Sequence, residues 1–198
     1  MRIASWRNEM QAGPDVQFKT LLSKEEYDIL IEKFKGNRTD FQTNHYFDTK
    51  RFSLKALDSS LRVRERETLE ITLKRKKGYK LLELTQPVDR ETFQNLRETG
   101  VLPDGEIKNE LLPLIGDQKL VNFLSLSTLR MYLPYKNGVL FIDKSEYLGV
   151  TDYELEYSAR NYHEAKKEFI QIIGEFGIKY KKADKKIRRA FKAYKRLN

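Results

Sequence analysis

The sequence predicts an α+β chain built on about eight mostly antiparallel strands, and three observations carry that prediction. Apolar and charged residues alternate with a period of two in short stretches along the chain. Helical stripes with a period near 3.6 fall between and after them. The connections are short, which favours antiparallel neighbours. Val16 and Phe18 alternate with Asp15, Gln17 and Lys19 in the first strand. A helix over 23–35 opens with the capping box Ser23/Glu26 and carries Tyr27, Leu30, Ile31 and Phe34 on one face. A strand over 45–48 follows, then Leu61 and Val63 alternate with Arg62, Arg64 and Arg66. Leu69, Ile71 and Leu73 alternate with Glu70, Thr72 and Lys74, and Leu82 and Leu84 with Glu83 and Thr85. Residues 89–99 read as a helix through Phe93 and Leu96 with Gly100 as its stop, and 118–124 as a short helical stretch. Three more strands set Leu129, Met131 and Leu133 against Arg130 and Tyr132, Leu140 and Ile142 against Phe141 and Asp143, and Tyr153, Leu155 and Tyr157 against Asp152, Glu154 and Glu156. A helix over 161–176 has an Asn161/Glu164 cap and Gly177 beyond it. The last helix, over 184–197, sets Ile187, Phe191 and Tyr194 against Lys185, Arg188, Arg189, Lys192 and Arg196.

The 198 residues carry 38 Lys and Arg against 29 Asp and Glu, a net charge of +9, and no cysteine. That excludes a disulfide scaffold, a cysteine nucleophile and a thiolate metal site. At 39% apolar and 12% aromatic the chain can bury one sizeable core, and no repeat or Gly/Ser linker divides it. One domain over 13–198 is expected after a leader, 1–12, that is either disordered or caps the mouth of the barrel. Nothing is apolar enough to span a bilayer and residues 1–10 lack the apolar core of a signal peptide, so a cytoplasmic protein with no membrane partner is expected.

Charged strand faces ordinarily point to water. Here helices with apolar stripes can cover the outside of the sheet, and about eight strands are enough to close a barrel. The expected arrangement is a tunnel with a polar, charged interior, surrounded by amphipathic helices. It collects Lys19, Arg62, Arg64, Lys74 and Arg130 together with Asp15, Glu83, Asp143, Glu154 and Glu156. Buried charges of both signs suit a polyphosphate bridged by divalent cations. Arg62 and Arg64, two apart on one strand, can fork onto neighbouring phosphoryl groups. Glu154 and Glu156 share a face in the same way and can converge with Asp143 on a hard cation, Mg2+ or Mn2+. His45 and His163 alone do not make a His-rich transition-metal site.

These residues resemble those of the CYTH superfamily, the triphosphate tunnel metalloenzymes, and especially its small bacterial members. The similarity runs in order through 15–19, where the family has Glu-x-Glu-x-Lys, then Tyr46-Phe47-Asp48-Thr49, Leu61-Arg-Val-Arg64, Thr72-Leu-Lys74, Arg130, Asp143-Lys144, Asp152-Tyr-Glu-Leu-Glu156 and Lys186. The resemblance implies an eight-stranded antiparallel barrel, binding of a triphosphate-containing small molecule inside it, and dependence on a divalent metal. By it, Lys19, Arg62, Arg64, Lys74, Arg130 and Lys186 bind phosphate, while Asp15, Asp143, Glu154 and Glu156 hold metal. Glu83 orients a lysine or arginine, and Glu154 or Asp143 orients the attacking water, with Arg130 in the catalytic set. Asp15 and Gln17 depart from the family's two glutamates. Gln17 offers a carbonyl oxygen without charge, so weaker metal binding is expected.

The expected function is metal-dependent hydrolysis of inorganic triphosphate or a small organic triphosphate. Adenylate cyclase chemistry on ATP, or binding of polyphosphate or nucleotide without turnover, are the alternatives. A nucleic-acid partner is disfavoured, because the basic positions alternate with core residues and face carboxylates. His45 is expected to pack structurally at a strand edge, and Lys186 rather than Lys185 to turn toward the tunnel.

Overall fold

A computed structural model describes residues 16–197. Asp15 and the expected leader, 1–12, lie outside the described residues. The strands are β1 (Val16–Leu22), β2 (Arg38–Thr49), β3 (Ser59–Glu65), β4 (Leu69–Lys77), β5 (Lys80–Val88), β6 (Leu120–Tyr135), β7 (Gly138–Tyr147) and β8 (Val150–Ala159). The described helices are α1 (Lys24–Lys33), α2 (Ser53–Ala56), α3 (Arg90–Thr99), α4 (Glu106–Ile115), α5 (Tyr162–Glu175) and α6 (Lys186–Leu197). The eight strands form one antiparallel sheet in the order β1-β8-β7-β6-β2-β3-β4-β5. This is the α+β class that the alternation predicts. No described helix is long and apolar enough to cross a membrane.

The described chain divides into two compact units, 16–40, 128–146 and 150–185 in the first, and 41–127, 147–149 and 186–197 in the second. In the first, β1 pairs with β8, and α1 and α5 pack against them. Leu30, Leu140, Ile142, Leu155, Tyr157 and Phe169 are buried in its core. The capping box is present as the sequence indicates: Glu26 N donates to Ser23 Oγ at 3.1 Å and Ser23 N donates to Glu26 Oε2 at 2.6 Å. Tyr157 is fully buried, and its hydroxyl donates to Glu168 Oε2 at 2.6 Å. A Cβ at Gly138 would strike the Ser158 carbonyl oxygen, so this position requires glycine.

In the second unit the apolar face of β3, β4 and β5 is covered by α3 and α4. Leu61, Val63, Ile71, Leu73, Leu96 and Leu111 are buried there. Asp48, from the Tyr-Phe-Asp-Thr run, is a structural residue: its carboxylate accepts from the backbone N–H of Thr49, Leu54 and Lys55 at 2.7, 2.9 and 3.0 Å. It thereby satisfies the free amides at the start of α2, a helix too short to show a period. His45 is buried as expected of a structural histidine, with Nδ1 at 2.9 Å from Ser125 Oγ and Nε2 at 3.1 Å from Glu65 Oε2.

The structure corrects two readings and adds one helix. Residues 118–124 do not form a helix; β6 begins at Leu120, where Leu120, Leu124, Leu126 and Thr128 are buried on one side of a strand. The helix of this region is α4, whose stripe of Ile107, Leu111 and Ile115 is obscured by Pro113 and by an N-cap, Gly105, without a side-chain acceptor. Leu129, read as core, is 41% exposed. Buried positions along β6 are even-numbered up to Thr128 and odd-numbered from Met131, so the alternation changes phase at Leu129 and Arg130. An extra residue in a strand has this effect and re-aims the side chain beside it.

Candidate functional site

Residues directly opposite in an antiparallel pair share a face. In the second unit this rule assembles a basic face from three strands. Tyr46 and Asn44 lie opposite Arg62 and Arg64, and those two arginines lie opposite Thr72 and Glu70. Lys74 lies opposite Ser60 on one side and Glu83 on the other. Arg64 Nε donates to Asn44 Oδ1 and Nη1 to Glu70 Oε1, both at 3.3 Å. Lys74 Nζ donates to Glu83 Oε2 at 2.8 Å. Arg62 lies beside Tyr46, where its charge opposes the rise that burial gives the Tyr46 hydroxyl, while Arg62 Nε is buried with no hydrogen-bond partner among the described residues. Burial first, and then the neighbouring Arg62 and Arg66, push the Arg64 guanidinium down to about 10. A guanidinium displaced in that direction sits among surplus positive charge with too little solvent to spread it. This face is set up to take an anion. Lys186 opens α6 and is half-buried, whereas Lys185 is exposed.

The first unit collects the opposite surplus. Arg130 forks onto Asp143, Nε to Oδ1 at 2.7 Å and Nη2 to Oδ2 at 2.6 Å, and the Asp143 side chain is fully shielded from solvent. The Arg130 guanidinium lies 4.5 Å from the centre of the Phe141 ring, which fixes its plane. Glu156 Oε2 is 4.0 Å from both Arg130 Nη2 and Lys19 Nζ. Glu154 and Glu156 are buried on one face of β8, and the β1 register places Gln17 opposite Ser158 and Lys19 opposite Glu156 on that same face. Two cations, Lys19 and Arg130, therefore face three carboxylates, Asp143, Glu154 and Glu156. Burial pushes the Glu156 carboxyl up; Arg130 and Lys19 oppose that rise, and Asp143 and Glu154 add to it. Bidentate pairing with Asp143 and the nearby glutamates hold Arg130 firmly protonated.

This acidic set fits a hard divalent cation in donor chemistry: its donors are oxygen atoms, shielded from water, with negative charge in excess. Among the described residues no three of Asp, Glu and His converge closely enough to enclose an ion. Asp143 in particular spends both oxygens on Arg130. Mg2+ is commonly held by one or two carboxylates plus substrate phosphates and water, a demand that Glu154 and Glu156 match. Sequence reading missed Tyr46, Asn44 and Glu70 as the residues that hold the two arginines. Glu70 was detectable, since it shares parity with Lys74 along β4; Tyr46 and Asn44 needed the register with β3.

A model of the CYTH domain family matches residues 14–191. The chain belongs to the CYTH domain family. A curated Bacillus subtilis (strain 168) relative, described as "Putative triphosphatase YjbK", is 32% identical over 188 residues, covering 89% of this chain and 94% of that protein. The CYTH fold is also seen in a crystal structure titled as a putative adenylate cyclase from Bacillus halodurans. It is 35% identical, with a TM-score of 0.74 over 89% of this chain and 97% of that one. An adenylyl cyclase-like protein of Hippeastrum, HpAC1, shares the fold at 20% identity, with a TM-score of 0.74 over 93% of this chain and 97% of that one.

Proposed function

We propose that this CYTH protein is a divalent-metal-dependent triphosphatase acting on inorganic triphosphate or a small organic triphosphate. The observation that carries the reading is the Arg62–Arg64 pair, partly desolvated, with the Arg62 Nε buried and unused and with Arg64 pushed down by burial and then by neighbouring positive charge. Such a pair gains most from a ligand with several phosphoryl groups, because each guanidinium can engage a separate one. The Bacillus subtilis relative named as a triphosphatase supports the same reaction.

Arg62, Arg64, Lys74 and Lys186 hold phosphate oxygens and neutralise the charge that builds on them during cleavage. Glu154 and Glu156 would hold Mg2+ or Mn2+, with the Gln17 carbonyl and Asp15 as further oxygen donors. When bound, such an ion would supply Lewis-acid neutralisation of the transferred phosphoryl group. Asp143 is a positioning residue for Arg130, since both its oxygens accept from that side chain. Alignment of the attacking water then falls to Glu154. Lys19, beside Glu156, stabilises that carboxylate in its charged form.

Phosphate release from tripolyphosphate, thiamine triphosphate and ATP, each with Mg2+ and with Mn2+, tests the proposal. Metal-dependent orthophosphate release that disappears in the Arg62→Ala/Arg64→Ala double variant is expected. Release that survives the double variant, or binding without turnover under either ion, overturns it. The 35% identical Bacillus halodurans structure, titled as an adenylate cyclase, favours a second reading. Product analysis separates the two: orthophosphate and a diphosphate mark hydrolysis, whereas pyrophosphate and a cyclic nucleotide mark cyclisation.

A further inference from the structure

We propose that the second unit carries a separate reactive centre, a Ser125–His45–Glu65 relay in which Ser125 is an activated nucleophile toward activated carboxylic esters. The three residues come from successive neighbours in the sheet, β6, β2 and β3. Ser125 Oγ lies 2.9 Å from His45 Nδ1, and His45 Nε2 lies 3.1 Å from Glu65 Oε2. A nucleophile in reach of a base, and a base oriented by a third group, is the arrangement that activates a serine. Arg90 Nη2 donates to the other Glu65 oxygen at 2.8 Å, and Arg90 and His45 together hold that carboxyl below its usual range. An ionised Glu65 accepts the Nε2 proton, so in the neutral ring Nδ1 presents its lone pair to the Ser125 hydroxyl. Asn122 Oδ1, at 3.2 Å, is a second and more distant acceptor for that hydroxyl. The His45 ring is buried and packs 4.9 Å from the centre of Phe93, whereas Ser125 is exposed. Satisfying a buried imidazole accounts for both of its bonds. It does not require the hydroxyl partner to open onto solvent, and that opening is what gives an electrophile access.

The relay stands on the side of the sheet away from the basic face. Along β2, Asn44 and Tyr46 share a face with the arginines, while Thr43, opposite Glu65, and His45, opposite Val63, share the other. Triphosphate binding on Arg62 and Arg64 therefore leaves these groups unused. Beside the relay, Thr43 Oγ1 and Ser127 Oγ are 2.9 Å apart. That bond consumes one hydroxyl hydrogen and leaves the second to be donated to an oxygen on which negative charge builds. Ser127 is two residues from Ser125 along β6, and so lies on the same face. Burial first, and then the charge of Arg97, push the His45 imidazole down, with Glu65 opposing. The ring thus stays a base at neutral pH. In the reaction, Ser125 Oγ bonds to the ester carbonyl carbon as its proton passes to His45 Nδ1, and the departing alkoxide takes that proton as its C–O bond breaks. Water then attacks the acyl-serine and gives a proton to Nδ1; the acyl–Oγ bond breaks, Oγ recovers the proton, and the carboxylic acid leaves.

The test treats the protein with p-nitrophenyl acetate and, separately, with an alkyl fluorophosphonate, and locates the modified residue by peptide mass spectrometry. Ser125 is expected to carry the label in the folded, unaltered protein and to lose its reactivity in urea, a comparison that needs no variant to fold. His45→Gln should slow labelling at least about 100-fold, the low end of general-base contributions. Ser125→Ala should reduce nitrophenolate release to the rate of the urea-unfolded chain. In the unaltered protein the labelling rate should fall in acid with a midpoint below the ordinary histidine value of 6.5. Glu65 is a positioning residue, and Glu65→Gln should move that midpoint further down, because a negative charge that favours the imidazolium is removed. Looser packing alone would move it toward the ordinary value. Label spread over other serines, Ser125 labelled no faster in folded than in unfolded protein, or a rate without that acid limb overturns the relay. None of these readouts involves phosphate release, so the triphosphatase reading stands or falls separately.

Discussion

The polar faces of the two units are built by the same rule and carry opposite surpluses. On β3, β4 and β5, Arg62, Arg64 and Lys74 outnumber Glu70 and Glu83, and burial together with neighbouring arginines pushes the Arg64 guanidinium down to about 10. On β1, β6, β7 and β8, Asp143, Glu154 and Glu156 outnumber Lys19 and Arg130, and burial raises the Glu156 carboxyl despite those two cations. Each face is thus left short of the counter-charge that a ligand brings, an anion for one and a cation for the other. They also differ in how firmly they are held. Arg130 is locked by a two-bond fork to a fully shielded carboxylate, while Arg64 makes two single bonds at 3.3 Å. The acidic set is anchored before any ligand arrives; the basic face keeps capacity in reserve.

The largest effect expected follows from removing that reserve. Arg62→Ala/Arg64→Ala should lower triphosphate turnover by at least about 100-fold, since two charge-assisted contacts of roughly 1.5–3 kcal/mol each are lost. Thermal stability should change little or rise, because mutual repulsion goes with them; steady-state kinetics and melting curves check both halves. Breaking the anchor on the other side acts on stability instead. Asp143→Asn leaves a buried guanidinium facing a neutral amide and should cost about 3 kcal/mol in urea unfolding. An unchanged midpoint would show that the fork is not what organises the acidic set.

A third change sharpens the comparison through pH. A carboxyl whose pKa is higher in the folded chain than in the unfolded one favours folding when protonated, and that contribution is lost as pH rises through the folded value. Glu156→Gln should therefore melt higher than the unaltered protein at neutral pH without metal, by about 2–4 °C per kcal/mol of relieved strain. The gain should vanish in acid, where the glutamate is protonated too. Under the proposed metal role, millimolar Mg2+ or Mn2+ should stabilise the unaltered protein and leave this variant unmoved, which calorimetry can read. The smallest effect belongs to Asp15→Glu/Gln17→Glu. Added charge on the acidic set should lower the metal concentration needed for half-maximal turnover several-fold, and an unaltered requirement would show that these positions do not limit it.

Much of this was legible because period two is a strict code. Once Leu61 and Val63 are inward, Arg62 and Arg64 must share the other face, and the same holds for Glu154 and Glu156 around Leu155. What alternation cannot supply is register between strands. The Arg130–Asp143 fork joins residues on β6 and β7, and nothing local in either strand names the other. Tyr46 reads as an ordinary aromatic until β2 is laid against β3 and it meets Arg62. Leu129 was misread for a related reason, since a periodic pattern assumes an unbroken strand and β6 changes phase there. The α4 helix stayed hidden behind Pro113 and a glycine cap.

That change of phase also sets how β6 responds to insertions and deletions. In a strand of uniform alternation, one residue more or less inverts everything downstream until a turn absorbs it. In β6 the inversion has already been spent at Leu129 and Arg130. Deletion of one residue at that point would place Met131 and Leu133 in frame with Thr128 and keep them on the buried side. The irregularity is therefore the point in this strand where losing one residue leaves the buried side in phase, and single-residue deletions elsewhere in β6 should be tolerated less well.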